Sequence, residues 1–157
     1  MQNYVHWQLF RRDASSRSDK GSATQQTGEA CTNALSTGTP PAPLDSSAVF
    51  ACTFESVVDQ LAKLPGMFIE MDGSFVIRQP AENNGHWQMD GMIYDRGVEV
   101  SPNGNRESRV HWCDIQGSFS KDIWDQVWSC FETPLEELLI YDVSRQTYLA
   151  PAELFSN

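Results

Sequence analysis

Two histidines, a cysteine and an aspartate are the residues best suited to chemistry in this chain. His111 and Cys113 are two positions apart in a stretch that predicts a strand, so their side chains point to the same face. On an earlier predicted strand, His86 and Asp90 also share a face. If the two strands pair in register, the four side chains form an acceptable zinc ligand set or place a thiol beside an imidazole. They are therefore the candidate catalytic residues of a small enzyme or metal-binding domain.

The same residues also have a simpler interpretation. Histidine and cysteine within an otherwise apolar strand are usually partly buried residues of the fold, and the sequence lacks the spacing motifs of zinc sites. It also lacks a Gly-x-Ser-x-Gly motif, a glycine-rich phosphate loop and a dinucleotide fingerprint. We therefore predict no metal and no cofactor, and the enzyme is kept as the alternative hypothesis.

The net charge of the chain falls on one part of the sequence. The formal net charge is -10, and residues 1–47 hold four basic and four acidic residues. The seven basic and 17 acidic residues of 48–157 therefore carry the whole net charge. Such an acidic domain repels phosphate groups, which disfavours binding to nucleic acid and to anionic membranes.

The acidic character favours a basic protein as partner. The leading hypothesis is a small cytoplasmic, non-enzymatic protein-interaction module. Glu132, Glu136 and Glu137 cluster around Pro134 and are the candidate partner-binding residues. The alternative is that these carboxylates only keep the protein soluble, which is a common role of net charge. The sequence does not predict the oligomeric state.

Cysteine usage and the N-terminus indicate the compartment. No cysteine belongs to a Cys-x-x-Cys pair, so we expect reduced thiols and a cytoplasmic protein. The four cysteines are Cys31, Cys52, Cys113 and Cys130. No apolar run follows Arg11-Arg12, so neither a secretory nor a twin-arginine signal is completed. No apolar run approaches the ~20 residues of a membrane span.

The first 47 residues differ from the rest in composition. Small and polar residues dominate 11–47, and no aromatic residue occurs between Phe10 and Phe50. Because such a stretch buries too little apolar surface to offset its ordering entropy, we predict that 1–47 is disordered and that a single domain spans 48–157. Residues 1–10 are apolar but too short to fold alone. They either pack on the domain, act as a sticky peptide or come from an over-extended start site.

Two helices are predicted in the domain. Thr53 is the N-cap of the first, in which apolar residues recur at helical spacing, and Pro65-Gly66 ends it. The second helix covers 121–131, and either Ser118 or Ser120 begins it. Both helices therefore have one apolar face to bury.

The remaining segments predict strands. Asp72-Gly73 stands between two apolar runs and predicts a type I′ hairpin turn within the sheet rather than at its edge. Further strands are predicted at 86–94, at 98–100 after a turn, and at 109–116, 138–143 and 147–149. This order predicts an α+β fold, a single twisted and mainly antiparallel sheet of about five to six strands with two helices on one face.

Overall fold

The centre of the fold is one antiparallel sheet. The structure, a computed structural model, describes residues 4–12, 49–100 and 102–156. The strands are β1 (Val5–Arg11), β2 (Met67–Ile69), β3 (Ser74–Pro80), β4 (His86–Val100), β5 (Arg106–Ser118), β6 (Leu138–Asp142) and β7 (Thr147–Leu149), and the helices are α1 (Phe54–Leu61) and α2 (Lys121–Ser129). Within the described residues the strand order is β2-β3-β4-β5-β1-β6-β7. The predicted α+β architecture is confirmed, and its seven strands slightly exceed the predicted number.

Strand β1 lies between β5 and β6, although the sequence assigns it to the segment predicted to be disordered. Trp7 pairs with Ile115 on one side and with Asp142 on the other. Trp7 and Leu9 are almost fully buried, with 2% and 1% of their surface exposed. The predicted domain boundary at residue 48 is therefore corrected, because neighbouring strands supply the hydrogen-bond partners that a short apolar strand lacks alone. The rest of the predicted disordered segment lies outside the described residues.

Both helices begin at predicted N-caps and cover the same face of the sheet. The Thr53 hydroxyl accepts a hydrogen bond from the Ser56 backbone N–H at 3.2 Å. The Ser120 hydroxyl accepts one from the Ile123 N–H at 3.3 Å, which decides between the two predicted caps of α2. The core joins Val57 and Leu61 of α1, Val127 of α2, and Leu9, Ile77, Met89, Ile93, Cys113, Ile115 and Ile140 of the strands. We call this side of the sheet the helix face and the opposite side the open face.

The β2–β3 hairpin differs from its prediction by one residue. The Glu70 N–H donates to the Ser74 carbonyl at 2.9 Å, and the Gly73 N–H donates to the Glu70 carbonyl at 3.1 Å. This pattern closes a three-residue loop in which only Gly73 has a positive φ, 96°. A type I′ turn also needs positive φ at Asp72. The Asp72 carboxylate instead accepts a hydrogen bond from the Ser74 N–H at 2.9 Å, which favours the three-residue loop. The turn type is corrected, and β2 lies at the edge of the sheet.

Strands β4 and β5 continue through a predicted turn. The sequence predicts a turn after Tyr94, but the pairing register shifts there instead and both strands go on. His111 is the additional residue of β5 at the first shift, since Trp112 faces Tyr94 while Val110 faces Asp95. Such bulges insert additional residues without ending the ladder, which explains why one long strand replaces two short ones.

Deleting residues 1–12 should abolish cooperative folding. The deletion removes a neighbour of both β5 and β6, together with the buried side chains of Trp7 and Leu9. Burying one large apolar side chain contributes about 1.5–3 kcal/mol, whereas a domain is stable by only about 5–15 kcal/mol. Thermal unfolding followed by circular dichroism measures the effect, and a deletion of residues 1–3 is the control. An unchanged melting temperature in the longer deletion would mean that β1 adds nothing to the stable sheet.

Alanine at Gly73 should cost more stability than alanine at Gly97. Both glycines have a positive φ, 96° and 105°, so both substitutions strain the backbone. A Cβ at Gly73 would lie 2.6 Å from the Ile93 carbonyl oxygen, whereas at Gly97 it meets nothing within 4 Å. The additional loss of unfolding free energy at Gly73 should be about 1–3 kcal/mol. Chemical denaturation compares the two variants, and equal losses would contradict the close approach of this loop to β4.

Candidate functional site

The sheet separates two of the four residues proposed for catalysis. Cys113 pairs with Ile93, belongs to the core on the helix face and is fully buried. Asp90 pairs with Gln116 and lies an odd number of positions before Ile93 on β4, so it points to the open face. The two side chains are therefore on opposite sides of the sheet.

The two histidines lie far from each other as well. His86 begins β4 opposite Pro80 and is exposed, and it is seven residues or about 23 Å along the strand from the partner of Cys113. His111 occupies the bulge of β5 opposite Tyr94 and Asp95, near the middle of β4 and far from His86 at its start. The predicted convergence of His86, Asp90, His111 and Cys113 is therefore corrected. In the part of the chain that the structure describes, no three His, Cys, Asp or Glu residues are grouped to hold a metal ion.

The described cysteines are free and buried, which makes them poor nucleophiles. Burial, together with a smaller contribution from the nearby Glu132 carboxylate, raises the pKa of the Cys52 thiol to about 12. Burial also raises the pKa of Cys113, with the Asp114 carboxylate adding to the effect, and it raises the pKa of Cys130. Because the thiolate is the reactive form, these thiols are protonated and unreactive at neutral pH.

The predicted partner-binding glutamates lie between α2 and β6, and they differ in their surroundings. Glu132 and Glu136 are exposed. The Glu137 carboxylate accepts a hydrogen bond from Arg11 Nε at 3.2 Å, and its carbonyl accepts the Arg12 N–H at 2.7 Å. Glu137 therefore helps to hold the end of β1, while a role of all three in partner binding stays a prediction.

Three aromatic side chains form a row across the open face, from β4 over β5 to β1. The rings of the paired residues Tyr94 and Trp112 are nearly parallel, with an angle of 10° and centroids 4.1 Å apart. Trp112 and Phe10 continue the stack at 5.8 Å and 17°. We call Tyr94, Trp112 and Phe10 the aromatic row. Tyr94 is 37% exposed and Phe10 only 9%, so the row is open to solvent at its β4 end.

A histidine–carboxylate pair lies beside the aromatic row. His6 Nε2 lies 3.0 and 2.9 Å from the two carboxylate oxygens of Asp114, and Gln8 Nε2 donates to one of them at 3.5 Å. In catalytic triads such a pair activates a hydroxyl or thiol nucleophile. Among the described residues, the only hydrogen bonds of the His6 side chain are those to Asp114. The pair is therefore a polar contact between β1 and β5, and no hydroxyl or thiol of the described residues is hydrogen-bonded to His6.

Asp90 is a further carboxylate of the open face and has a neutral partner. Its oxygens accept hydrogen bonds from Gln88 Nε2 at 2.9 and 3.2 Å. The Gln88 oxygen accepts in turn from Arg78 Nε at 2.8 Å. None of the ion pairs between described residues involves Asp90. Its negative charge thus meets an amide rather than a cation.

Sequence reasoning missed the residues that β1 adds to the open face, His6, Gln8 and Phe10. Residues 1–10 are apolar but too short to fold alone, so the sequence assigns them to the tail together with the polar stretch that follows. A usable signal is present, since Trp7 and Leu9 alternate with His6 and Gln8 in the two-residue period of a half-buried strand. Composition over a long window concealed that short pattern.

The groups on the open face are suited to binding. Aromatic faces attract cations, and a carboxylate forms charge-assisted hydrogen bonds with them. No protein-family model, curated protein or solved structure matches this chain, so the open face is interpreted from its own geometry. Neither described helix has the length and apolar character that crossing a membrane requires.

The buried thiols should resist alkylation in the native protein. A Cys31→Ser variant leaves only the three described cysteines, Cys52, Cys113 and Cys130. At about pH 8 the raised thiol pKa values keep them protonated, so iodoacetamide should not modify the folded variant. Intact mass spectrometry should show up to three additions once the chain is unfolded. Rapid modification of the folded variant would instead indicate an accessible reactive thiol.

Proposed function

We propose that this chain is a non-enzymatic, cytoplasmic protein-interaction module that binds a basic partner through its open face. The observation that carries the proposal is that Asp90 and the Tyr94–Trp112 stack lie on one face of β4 and β5. Asp90 has no cationic partner among the described residues, and Tyr94 is exposed. Cations bind to both kinds of group, to a carboxylate by ion pairing and to an aromatic ring through its electron-rich face.

The net charge supports a basic partner. A chain with a formal charge of -10 attracts cationic proteins over a distance and speeds their association. The exposed Glu132 and Glu136 contribute to this attraction, whereas Glu137 is also engaged by Arg11. In this proposal the scattered carboxylates set the encounter rate, and the open face holds the bound partner. The same charge disfavours nucleic acid and anionic membranes as ligands.

The alternative of a small enzyme has less support. Its four candidate residues are distributed along the β4–β5 pair, with Asp90 and Cys113 on opposite faces of the sheet. The thiol that it would use, that of Cys113, is fully buried and has a raised pKa. A reactive group would need to be accessible and to have a pKa near the working pH.

Binding of a designed basic peptide tests the proposal. A soluble peptide of alternating Arg and Ser should bind, and its affinity should fall steeply with salt because screening acts over about 8 Å at 0.15 M. A peptide of alternating Glu and Ser with the same length is the matched control and should not bind. Isothermal titration calorimetry at low and at physiological ionic strength gives both affinities. Equal affinities for the two peptides, or binding of neither, would contradict the proposal.

Variants of the exposed glutamates and of the open face should change different rate constants. The double substitution Glu132→Gln and Glu136→Gln removes steering charges, so it should lower the association rate constant for the basic peptide about two- to fivefold. Tyr94→Leu removes a contact of the bound state, so it should mainly raise the dissociation rate constant, about three- to tenfold. Stopped-flow tryptophan fluorescence measures both constants. A Tyr94→Leu variant with unchanged dissociation would place the bound partner away from the open face.

A further inference from the structure

We infer that the open face binds an extended segment carrying two arginine side chains four positions apart, one on Asp90 and one on the Tyr94–Trp112 stack. The inference rests on the proposed function and specifies the pattern that the partner presents. Asp90, Met92 and Tyr94 alternate along β4, so all three side chains point to the open face. They form a line on which a second extended chain can lie.

The Asp90 end of the line favours a guanidinium group. The Asp90 carboxylate accepts hydrogen bonds only from the Gln88 amide among the described residues, and a carboxylate has lone pairs for about four such bonds. Arginine can donate two parallel hydrogen bonds to a carboxylate, which lysine cannot do. Asp90 is only partly exposed, so an ion pair there is screened less than one on a fully exposed surface.

The aromatic end of the line also favours arginine. The Tyr94 and Trp112 rings are nearly parallel, and Tyr94 is the more exposed of the two. A planar guanidinium stacks on an aromatic ring and is attracted by its electron-rich face, most strongly within about 6 Å of the centroid. The Asp114 carboxylate, opposite Met92, adds negative potential, although His6 already contacts both of its oxygens.

The distance between the two ends fixes the spacing of the arginines. Asp90 and Tyr94 are four residues apart on a strand, about 13 Å at 3.3 Å per residue. Positions i and i+4 of an extended peptide span the same distance, and both point to the same side. Position i+2 then lies over Met92, which favours an apolar residue there. The resulting pattern is Arg-x-apolar-x-Arg.

Arg78 limits the pattern at the Asp90 end. Arg78 pairs with Gln88, two positions before Asp90 on β4, and its guanidinium donates to the Gln88 side-chain oxygen. A third cation placed two residues beyond the first would approach Arg78 and be repelled. The segment therefore carries two cations on this face rather than a longer basic run.

Peptides that differ only in spacing test the inference. Ser-Arg-Ser-Leu-Ser-Arg-Ser carries the predicted pattern, and Ser-Ser-Arg-Leu-Arg-Ser-Ser has the same composition with its arginines two positions apart. The first should bind about three- to tenfold more tightly, because only it can engage both ends at once. NMR titration of the labelled protein yields both Kd values. The amide signals of β4 should shift as the first peptide is added.

Substitutions at each end complete the test. Asp90→Asn and Tyr94→Leu should each weaken the first peptide about three- to tenfold and remove most of its advantage over the second. Asp59→Asn removes one carboxylate from α1, and Tyr148→Leu removes a similarly exposed tyrosine of the same face on β7, so these are matched controls that should change its Kd less than twofold. Thermal unfolding verifies that every variant is folded.

The outcomes separate the inference from the proposed function. If both peptides bind with the same Kd, or if Asp90→Asn leaves binding unchanged, the two-arginine pattern is wrong while a basic partner stands. If neither peptide binds and the alternating Arg-Ser peptide does not bind either, the proposed function is wrong as well. A loss caused by Glu132→Gln and Glu136→Gln but not by Asp90→Asn would overturn the inference and favour the glutamates as the contact site.

Discussion

The hydrogen bonds of β1 to β5 on one side and to β6 on the other join the two parts of the sheet. Strands β2 to β5 form one part, and the β6–β7 hairpin forms the other. A two-stranded hairpin is marginal by itself, so β6 and β7 depend on β1 for a neighbour. On the helix face, Trp7 reinforces this connection through edge contacts at 5.6 to 6.0 Å with Phe119, Trp124 and Phe155. One short strand thus links the sheet, α2 and the C-terminal residues.

The same strand also determines what the open face presents. While Trp7 and Leu9 enter the core, the alternating residues His6, Gln8 and Phe10 point to the other side. Phe10 ends the aromatic row, and His6 holds Asp114. A domain lacking β1 would therefore lose part of its candidate binding surface as well as its stability.

Local features were predictable from the sequence because their causes are local. Each helix is specified by residues that are close in sequence: its N-cap, Thr53 or Ser120, and the apolar residues that follow at helical spacing. The type I′ prediction for the turn at Asp72 is wrong because one hydrogen bond, from the Ser74 N–H to the Asp72 side chain, favours the three-residue loop. A one-residue change in loop length then shifts the register of the whole hairpin.

The candidate site was less predictable, because its parts come from distant positions in the sequence. Phe10 meets Trp112 only once β1 is placed beside β5, and a single sequence gives no register for strands so far apart. The His111 bulge shows the same difficulty on a smaller scale. Counting alternate positions along β5 predicts a common face for His111 and Cys113, but the additional residue at the bulge interrupts that alternation.

The Asp114 and Asp90 carboxylates of the open face have different partners. The His6–Asp114 pair has side-chain exposures of 29% and 21%, and a pair that accessible contributes only about 0–1 kcal/mol to stability. Its larger effect is that His6 already contacts both carboxylate oxygens of Asp114. Among the described residues, Asp90 has only the neutral Gln88 amide as partner, so no cation neutralises its charge. Because His6 comes from β1, the strand that completes the sheet also engages Asp114, whereas no described residue of β1 gives Asp90 a hydrogen bond.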